Sequence, residues 1–457
     1  MKASAPPTII RFLAADASEL TGVLAPGNYL RTVRPDGFIV RLPREATAAS
    51  VRVLARKLSH AEAAQFRPEV EFVEAPRDHA LTAAFVGGLL LGTYRPGRWK
   101  TEAGEHHPLA GSRMAISTGI GSKKGRAAIV RETELAKAQL SIMALVDAPA
   151  NMKRPQDLAA WAKASGKAHG YKVKVLGKKE CEKQGMGALL AVNRGSEDEA
   201  RFIIMEYKGK GAPKKSGPVV IVGKGITFDT GGVSIKPSNN LHLMKSDMGG
   251  AAATFGALEA AARLQLPVHL IGIVPSTDNS VDALSYKPSD VITGYSGKTI
   301  EIIDTDAEGR LVMSDGLGYA VSKLKPKVLI DVATLTGSAV RTFGYECAAV
   351  MSKNEDLVSA FRAAGDACGE RVWPLPVWDE YRSGLDSDVA DIKNYSGRPV
   401  NGAIDAFKFL EFFTDAHPAF VHFDIAGVAL KQGPYAKDRQ ATGFGMRLFV
   451  EWLQGLI

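Results

Sequence analysis

Residues 218–232 read PVVIVGKGITFDTGG, a continuous apolar run followed at once by a polar segment rich in glycine. An unbroken apolar run of this length is typical of a strand that is covered on both faces of a sheet. Similar runs occupy residues 268–274 and 327–333, and segments with helical patterns lie between them. This alternation predicts an α/β fold, and we expect a mixed central sheet flanked by helices.

The length of the chain predicts two domains. Its 457 residues exceed the roughly 250–300 residues that one hydrophobic core usually serves. We predict a smaller N-terminal α/β domain, residues 1–145, and a larger C-terminal α/β domain, residues 146–457. The N-terminal part has a strand pattern at residues 37–42 and helical spacing at residues 46–60. It contains no group of polar residues with a catalytic spacing, so we expect the chemistry in the C-terminal domain.

The composition, with 46% apolar and 23% charged residues, is that of an ordinary globular protein. The formal net charge is +8, but the basic residues are dispersed, and the densest group is Lys208, Lys210, Lys214 and Lys215. This group lies between two strand patterns without interleaved aromatic residues, so we interpret it as a solvated loop. We therefore do not expect a nucleic-acid partner, although nucleic-acid binding stays open as a second role.

Two further properties concern location. No apolar segment approaches the ~20 residues that a membrane-spanning helix needs, and the first residues lack the pattern of a signal peptide. We therefore expect a cytoplasmic protein without a membrane partner. The cysteines are too few and too scattered for a disulfide framework, and we interpret all three as small buried apolar residues: Cys181, Cys347 and Cys368.

The candidate functional residues include four carboxylates, Asp229, Asp247, Asp306 and Glu308. They lie next to strand ends or at a glycine-rich helix start, where open α/β sheets place their sites. Taken singly, Asp247 could cap a helix and the others could be solvated turn residues. Together they would repel one another unless cations neutralised them, and such oxygen ligands suit Mg, Mn or Zn. The sequence therefore indicates a site for two divalent cations.

Three basic residues accompany the carboxylates. Lys224 and Lys236 lie among small residues and proline, which argues against a simple solvated face. An amine ligates a metal only when neutral, whereas Lys236 or Arg310, kept positive, could stabilise an oxyanion. A phosphate loop is a weak alternative, because neither GxxxxGK[ST] nor GxGxxG is present. A two-metal phosphoesterase is the stronger alternative and stays open on these residues alone.

The chain resembles the cytosolic leucine aminopeptidase (leucyl aminopeptidase) family in several motifs that occur in the same order. Residues 304–311, DTDAEGRL, are similar to the family's NTDAEGRL, residues 222–237 match VGKGxTFDxGGxSIKP, and residues 244–252 match MKxDMGGAA. The matching region extends from about residue 145 to the C-terminus. The resemblance implies a metal-dependent aminopeptidase with a catalytic C-terminal domain. Such an enzyme releases N-terminal residues, leucine or other apolar ones, from short peptides by means of water activated by two metals.

The resemblance also implies a role for each matching residue. The ligands of the two metal ions, Zn or Mn with Mg as a further option, would be Lys224, Asp229, Asp247, Asp306 and Glu308. Asp229 and Glu308 would bridge the tighter and the more exchangeable ion. Lys236 would help to stabilise the oxyanion of the reaction, and Arg310 would position a bicarbonate ion that serves as general base.

An apolar pocket for the first substrate side chain is implied at Met244, Thr334, Gly337, Ala426 and Ala429. The family further implies a homohexamer, and we interpret His422 as a structural residue near the sheet. The chain departs from the family at Asp304, where asparagine is usual, at Ser246, and over residues 401–407, which replace a more regular GGAITAA. No implied metal ligand is missing.

Overall fold

The computed structural model describes residues 6–33, 36–97, 99–102, 106–110, 115–213 and 217–457. Lys214 and Lys215 of the basic group lie outside these residues. The chain divides into two units. The first comprises Met1–Leu140, Ala367–Gly369 and Gln432–Gln440, and the second comprises Ser141–Asp366, Glu370–Lys431 and Ala441–Ile457. The domain boundary near residue 145 stays a prediction.

In the described residues the first unit combines a sheet with two helices of its own and with part of a longer helix that continues into the second unit. Its elements are β1 (Thr8–Leu13), β2 (Asn28–Val33), β3 (Asp36–Arg41), α1 (Ala48–Ala61), β4 (Glu69–Val73), α2 (His79–Leu91) and β5 (Ala115–Ser117). Within the described residues these strands form one sheet in the order β2-β3-β1-β4-β5, with β1 parallel to β3 and β4. Phe12, Phe72 and Phe85 meet edge to face in its core. This unit has the α/β character that the sequence predicted.

The second unit contains most of the helices and strands. The helix α3 (Lys123–Asp147) includes residues of both units. The helices that follow are α4 (Pro155–His169), α5 (Lys178–Gln184), α6 (Gly187–Val192), α7 (Gly249–Arg263), α8 (Glu308–Tyr319), α9 (Gly337–Phe343), α10 (Glu355–Cys368), α11 (Gly402–Glu411) and α12 (Met446–Gln454). The strands are β6 (Lys172–Leu176), β7 (Arg201–Lys208), β8 (Val219–Gly223), β9 (Gly225–Asp229), β10 (His269–Asn279), β11 (Val291–Thr293), β12 (Thr299–Glu301), β13 (Val328–Ala333), β14 (Ala348–Met351), β15 (Val372–Pro374), β16 (Ile392–Lys393), β17 (Phe420–Asp424), β18 (Leu430–Lys431) and β19 (Gln440–Ala441).

The central sheet of the second unit is mixed, which confirms the predicted fold class. In the described part of the chain its strand order is β15-β14-β17-β13-β8-β10-β7-β6, and β9 pairs with β10. The strands β17, β13, β8 and β10 run parallel to one another, whereas β7 lies antiparallel to β10. Because parallel strands end at the same edge of a sheet, the segments that follow them come close together.

The helix α7 packs closely on this sheet because its residues are small. All of its residues except the last are buried. A Cβ atom on Gly250 would overlap the carbonyl oxygen of Val332 in β13 and would lie 2.8 Å from the nitrogen of Lys224. The Lys224 carbonyl accepts a hydrogen bond of 2.9 Å from the Ala251 nitrogen. The start of α7 is therefore fixed against the strand end that carries Lys224.

Two element boundaries near this edge differ from the sequence-based expectation. Residues 225–229 form the strand β9 rather than a loop, because β10 continues beyond residue 274 and offers them a parallel partner. The helical pattern of residues 314–323 predicts a start at Ser314, but α8 begins at Glu308. An acidic residue in the first turn interacts favourably with the helix dipole, which offsets the low helix propensity of Gly309.

None of the described helices is long and apolar enough to cross a membrane. Cys181 and Cys368 are buried, as predicted. The prediction is wrong for Cys347, which is half-buried in the short segment between α9 and β14. His422 in β17 is fully buried and contacts the Asp331 carboxylate through its Nδ1 atom, so the structural interpretation of this histidine agrees with its position.

The close approach of α7 to the sheet predicts that Gly250→Ala destabilises the protein. Alanine normally favours a helix, but the added methyl group meets backbone atoms that cannot move independently. We expect a loss of about 2 kcal/mol in the free energy of unfolding, measured by urea denaturation. Gly121→Ala, whose Cβ would meet nothing within 4 Å, is the control and should be close to neutral. Equal stability of both variants would contradict this packing.

Candidate metal centre

Several segments that meet at the carboxyl edge of the central sheet supply the predicted ligands. Lys224 follows β8, Asp229 is the last residue of β9, and Glu308 is the first residue of α8. Asp247 lies between the 3-10 turn Leu241–Ser246 and α7. The structure therefore brings together residues that are up to 84 positions apart in the sequence, the separation between Lys224 and Glu308.

Asp229, Asp306 and Glu308 form a carboxylate cluster in which one oxygen of each residue lies within 4.8 Å of the others. Asp229 and Glu308 are buried, and Asp306 is half-buried. Among the described residues, none donates a hydrogen bond to Oε2 of Glu308. A buried carboxylate oxygen without a donor is costly. Its position in this cluster fits a bound divalent cation, which accepts oxygen ligands of this kind.

Two lysines neutralise part of this charge. Lys224 Nζ lies 2.7 Å from Asp247 Oδ2 and 2.8 Å from Glu308 Oε1. Lys236 Nζ lies 2.9 Å from Asp229 Oδ2 and also contacts Asp306. Burial disfavours both ammonium groups, but the surrounding carboxylates outweigh burial and raise the pKa of each lysine. Both lysines are therefore held as cations by the carboxylates alone.

The carboxylates themselves remain in excess, since four of them face two lysines. Burial, together with the charges of Glu308 and Asp229, raises the pKa of Asp306 to about 7. The pKa of Glu308 is raised by burial and by the neighbouring Asp229, and the pKa of Asp247 by burial, against the opposing effect of Lys224. The cluster is thus short of positive charge, which is the property expected of a cation site.

Arg310 is buried on α8, two residues after Glu308. Its Nη1 donates a hydrogen bond of 2.9 Å to the carbonyl oxygen of Asn394. Burial lowers the pKa of Arg310, against the opposing charges of Asp405 and Glu308. Its Nε atom has no hydrogen-bond acceptor in the described part of the chain. The guanidinium group is therefore fixed from one side and keeps a donor for a small anion.

The predicted pocket residues divide into two groups. The Thr334 hydroxyl donates a hydrogen bond of 2.8 Å to Asp247 Oδ1, and a Cβ on Gly249 would lie 2.9 Å from Thr334 and 3.2 Å from Ala429. Met244 is also close to Asp247, because the Met244 carbonyl accepts a hydrogen bond from the Asp247 nitrogen. These contacts bring Met244, Thr334 and Ala429 to the metal centre.

Gly337 and Ala426 are the other two pocket residues, and both lie next to Asp424. Gly337 is the first residue of α9, whose preceding Thr336 donates a hydrogen bond of 2.7 Å to Asp424 Oδ2. The Ala426 nitrogen donates to Asp424 Oδ1 at 3.2 Å. Asp424 therefore links these two positions, and their contact with a substrate stays a prediction.

The sequence did not single out two asparagines that hold the centre. Asn279 Nδ2 donates a hydrogen bond of 2.9 Å to Asp229 Oδ1. Asn394 donates to the Asp304 carbonyl through Nδ2 at 2.6 Å and accepts from the Ile303 nitrogen through Oδ1 at 2.8 Å. For Asn279, the only local indication is that the apolar run of β10 ends in polar residues. No local pattern marks Asn394.

Lys153 is a further residue that sequence reasoning missed. It is almost fully buried, and its Nζ donates to the carbonyl of Val146 at 3.0 Å and to that of Lys245. Burial and the charge of Lys245 lower the pKa of Lys153 to about 7, although Asp147 and Asp247 oppose the shift. This lysine ties the segment that carries Asp247 to the end of α3.

An α/β fold with buried carboxylates and lysines at the carboxyl edge of its sheet is the arrangement expected of a metallohydrolase. A model of the cytosol aminopeptidase family, catalytic domain, matches residues 141–450. The probable cytosol aminopeptidase of Chlorobium luteolum is 42% identical over 434 residues, which are 90% of this chain and 83% of that protein. The corresponding protein of Geobacter sp. is 45% identical over 370 residues, or 80% of this chain and 74% of that one.

Among solved structures, the chain is similar to the bottromycin maturation enzyme BotP in complex with Mn. The TM-score is 0.87 and the identity 30%, with 99% of this chain and 100% of that chain covered. The chain belongs to the cytosol aminopeptidase family. It is accordingly a metal-dependent aminopeptidase that acts on peptides, as the sequence predicted, and the phosphoesterase alternative gains no support.

The buried position of Lys153 predicts a pH-dependent contribution to stability. Between pH 7 and its ordinary pKa of 10.5 the unfolded chain holds a proton that the folded chain does not. Stability of the wild type relative to Lys153→Met should therefore rise by about 2–4 kcal/mol from pH 7 to pH 10. Urea denaturation at several pH values measures the difference. The exposed control Lys167→Met should show no such trend. A stability difference between wild type and Lys153→Met that stays constant from pH 7 to pH 10 would refute the burial argument.

Proposed function

We propose that this aminopeptidase uses two divalent cations, Zn or Mn with Mg as a further option, bound by Lys224, Asp229, Asp247, Asp306 and Glu308. The observation that carries the proposal is the cluster of three carboxylates within 4.8 Å, one of them with an unpartnered buried oxygen among the described residues. The cations would supply an activated water and would polarise the peptide carbonyl. Asp229 and Glu308 are the two buried members of the cluster, which supports a bridging role for both.

The two lysines would have separate roles. Lys224 is buried and contacts Asp247 and Glu308. Its amine is therefore placed to ligate a cation once the amine loses its proton. Lys236 is more exposed and contacts Asp229 and Asp306. When cations neutralise these carboxylates, the ammonium of Lys236 can turn to the oxyanion of the reacting peptide.

Arg310 would hold a bicarbonate ion that serves as the general base. The support is its buried guanidinium, fixed by the Asn394 carbonyl and left with an Nε donor that no described residue accepts. A buried cation of this kind is stabilised by an anion that accepts its free donors. Bicarbonate offers such oxygens and can accept a proton.

The substrate would be a short peptide whose first side chain, leucine or another apolar residue, enters a pocket lined by Met244, Thr334, Gly337, Ala426 and Ala429. The small side chains of the two alanines and the glycine leave room for a branched aliphatic group. We further propose a homohexamer and a cytoplasmic location, in line with the resemblance and with the names of the relatives. Size-exclusion chromatography with light scattering tests the oligomeric state.

Removal of one bridging carboxylate should abolish turnover and metal uptake together. We expect Glu308→Gln to lose at least one of two bound ions, measured by elemental analysis after dialysis, and to stop hydrolysing leucine amide. Glu355→Gln is the matched control, since Glu355 is also an acidic residue in the first turn of a helix but is exposed. Full activity of Glu308→Gln on an aminoacyl-amide panel with Zn, Mn or Mg would overturn the assignment.

Removal of Lys236 should separate catalysis from metal binding. Lys236→Met takes away a cation that competes for Asp229 and Asp306, so we expect metal affinity equal to or above that of the wild type. The kcat should fall by about 10²–10³, the usual cost of losing one oxyanion donor. Isothermal titration with Mn²⁺ and steady-state kinetics measure the two effects, with the exposed Lys287→Met as control. A parallel loss of metal would show that Lys236 serves binding instead.

A further inference from the structure

Asn279 is the last residue of β10 and is completely buried. Its partner in the register with β9 is Asp229, and the register shifts between Thr277 and Asn279. At this irregular strand end the asparagine side chain faces the carboxylate cluster. The residue is not one of the proposed ligands, and its amide reaches a ligand directly.

The amide group of Asn279 joins two segments that carry ligands. Its Nδ2 donates to Asp229 Oδ1 at 2.9 Å and to the carbonyl oxygen of Thr305 at 3.1 Å. Both neighbouring atoms can only accept, so the NH₂ group must face them and both of its donors are used. Thr305 immediately precedes Asp306. The side chain of Asn279 therefore fixes the distance between Asp229 and the segment that carries Asp306 and Glu308.

Further hydrogen bonds hold the same two segments, those of Asp229 and Asp306, together. The backbone nitrogen and the hydroxyl of Thr230 both donate to the backbone carbonyl of Asn279, at 3.0 Å and 2.7 Å. The Thr305 hydroxyl donates to the Gly231 carbonyl at 2.7 Å, and Tyr286 donates to the Thr305 carbonyl at 2.8 Å. A Cβ on Gly232 would lie 3.0 Å from Asn279 Oδ1, so a glycine at this position leaves the space that the amide occupies.

The hydrogen bonds also distinguish the two oxygens of Asp229. Oδ1 accepts from the Gly231 nitrogen and from Asn279, both at 2.9 Å. Oδ2 contacts only the Lys236 ammonium among the described residues, at 2.9 Å. With Oδ1 occupied by two donors, Oδ2 is the oxygen left to face a cation.

We propose that Asn279 is a positioning residue of the metal centre. It orients Asp229 so that Oδ2 points to the cation, and it fixes the distance between Asp229 and Asp306, thereby setting the affinity of the more exchangeable ion. The proposal rests on the two-cation function above. Residues that orient metal ligands typically change metal affinity by about 10- to 100-fold when they are replaced.

The test compares variants of Asn279 with a matched asparagine. In Asn279→Asp a carboxylate oxygen replaces the NH₂ group and faces the two acceptors, Asp229 Oδ1 and the Thr305 carbonyl. In Asn279→Ser the amide is absent and the smaller side chain fits without steric conflict. The control is Asn193→Asp, because Asn193 is also buried and its amide also donates twice, to the Asp198 carbonyl and to Thr277, without touching a carboxylate of the centre. Mn²⁺ binding by isothermal titration is the main readout, with thermal unfolding and steady-state kinetics beside it.

We expect both Asn279 variants to bind the weaker Mn²⁺ about 10- to 100-fold less tightly, to keep the tighter ion, and to recover kcat at high Mn²⁺. Asn193→Asp should lower the unfolding temperature but leave both Mn²⁺ affinities unchanged. Should Asn279→Asp fail to fold, Asn279→Ser decides the question alone. Wild-type Mn²⁺ affinities in Asn279→Ser, or an equal loss of affinity in Asn193→Asp, would overturn the inference. Absence of Mn²⁺ binding by the wild type would instead refute the two-cation function.

Discussion

The repulsion among buried carboxylates at one edge of the central sheet is the constraint on which the rest of this centre depends. Asp229, Asp306 and Glu308 are held within 4.8 Å of one another, closer than isolated buried anions tolerate. Only a rigid frame can maintain such a cluster. The frame consists of parallel strands that end together and of helices whose first turns face the cluster. Lysines reduce the excess charge but do not cancel it, which leaves a strong attraction for divalent cations.

Close backbone packing is what makes this frame rigid. The start of α7 lies so near β13 that even a methyl group on Gly250 would overlap backbone atoms, and Gly309 leaves only enough room for the Lys224 side chain, 2.5 Å from its potential Cβ. The glycines of these segments therefore serve the site through their lack of a side chain. They leave space above all for Lys224, which is packed between α7 and α8 with its ammonium directed at two carboxylates.

The sequence was sufficient to predict the α/β class, the mixed sheet and the family, because continuous apolar strands and long ordered motifs are local features. It was insufficient for β9 and for the start of α8, since both depend on partners elsewhere: β9 on the extension of β10, and Glu308 on the charges around it. Asn279 and Asn394 were missed for the same reason. Their hydrogen bonds join residues 50 and 90 positions apart, and no local pattern reports such contacts.

Asp304 shows how a departure from the family can keep the shape of the centre and change its charge. Its Oδ1 accepts a hydrogen bond of 2.8 Å from the Asp306 nitrogen, and an asparagine Oδ1 can accept the same bond. The turn before α8 therefore does not require an amide at this position. The additional carboxylate places one more negative charge near Arg310. Since an asparagine could accept the same backbone bond, the aspartate changes the charge beside Arg310 without requiring a different turn.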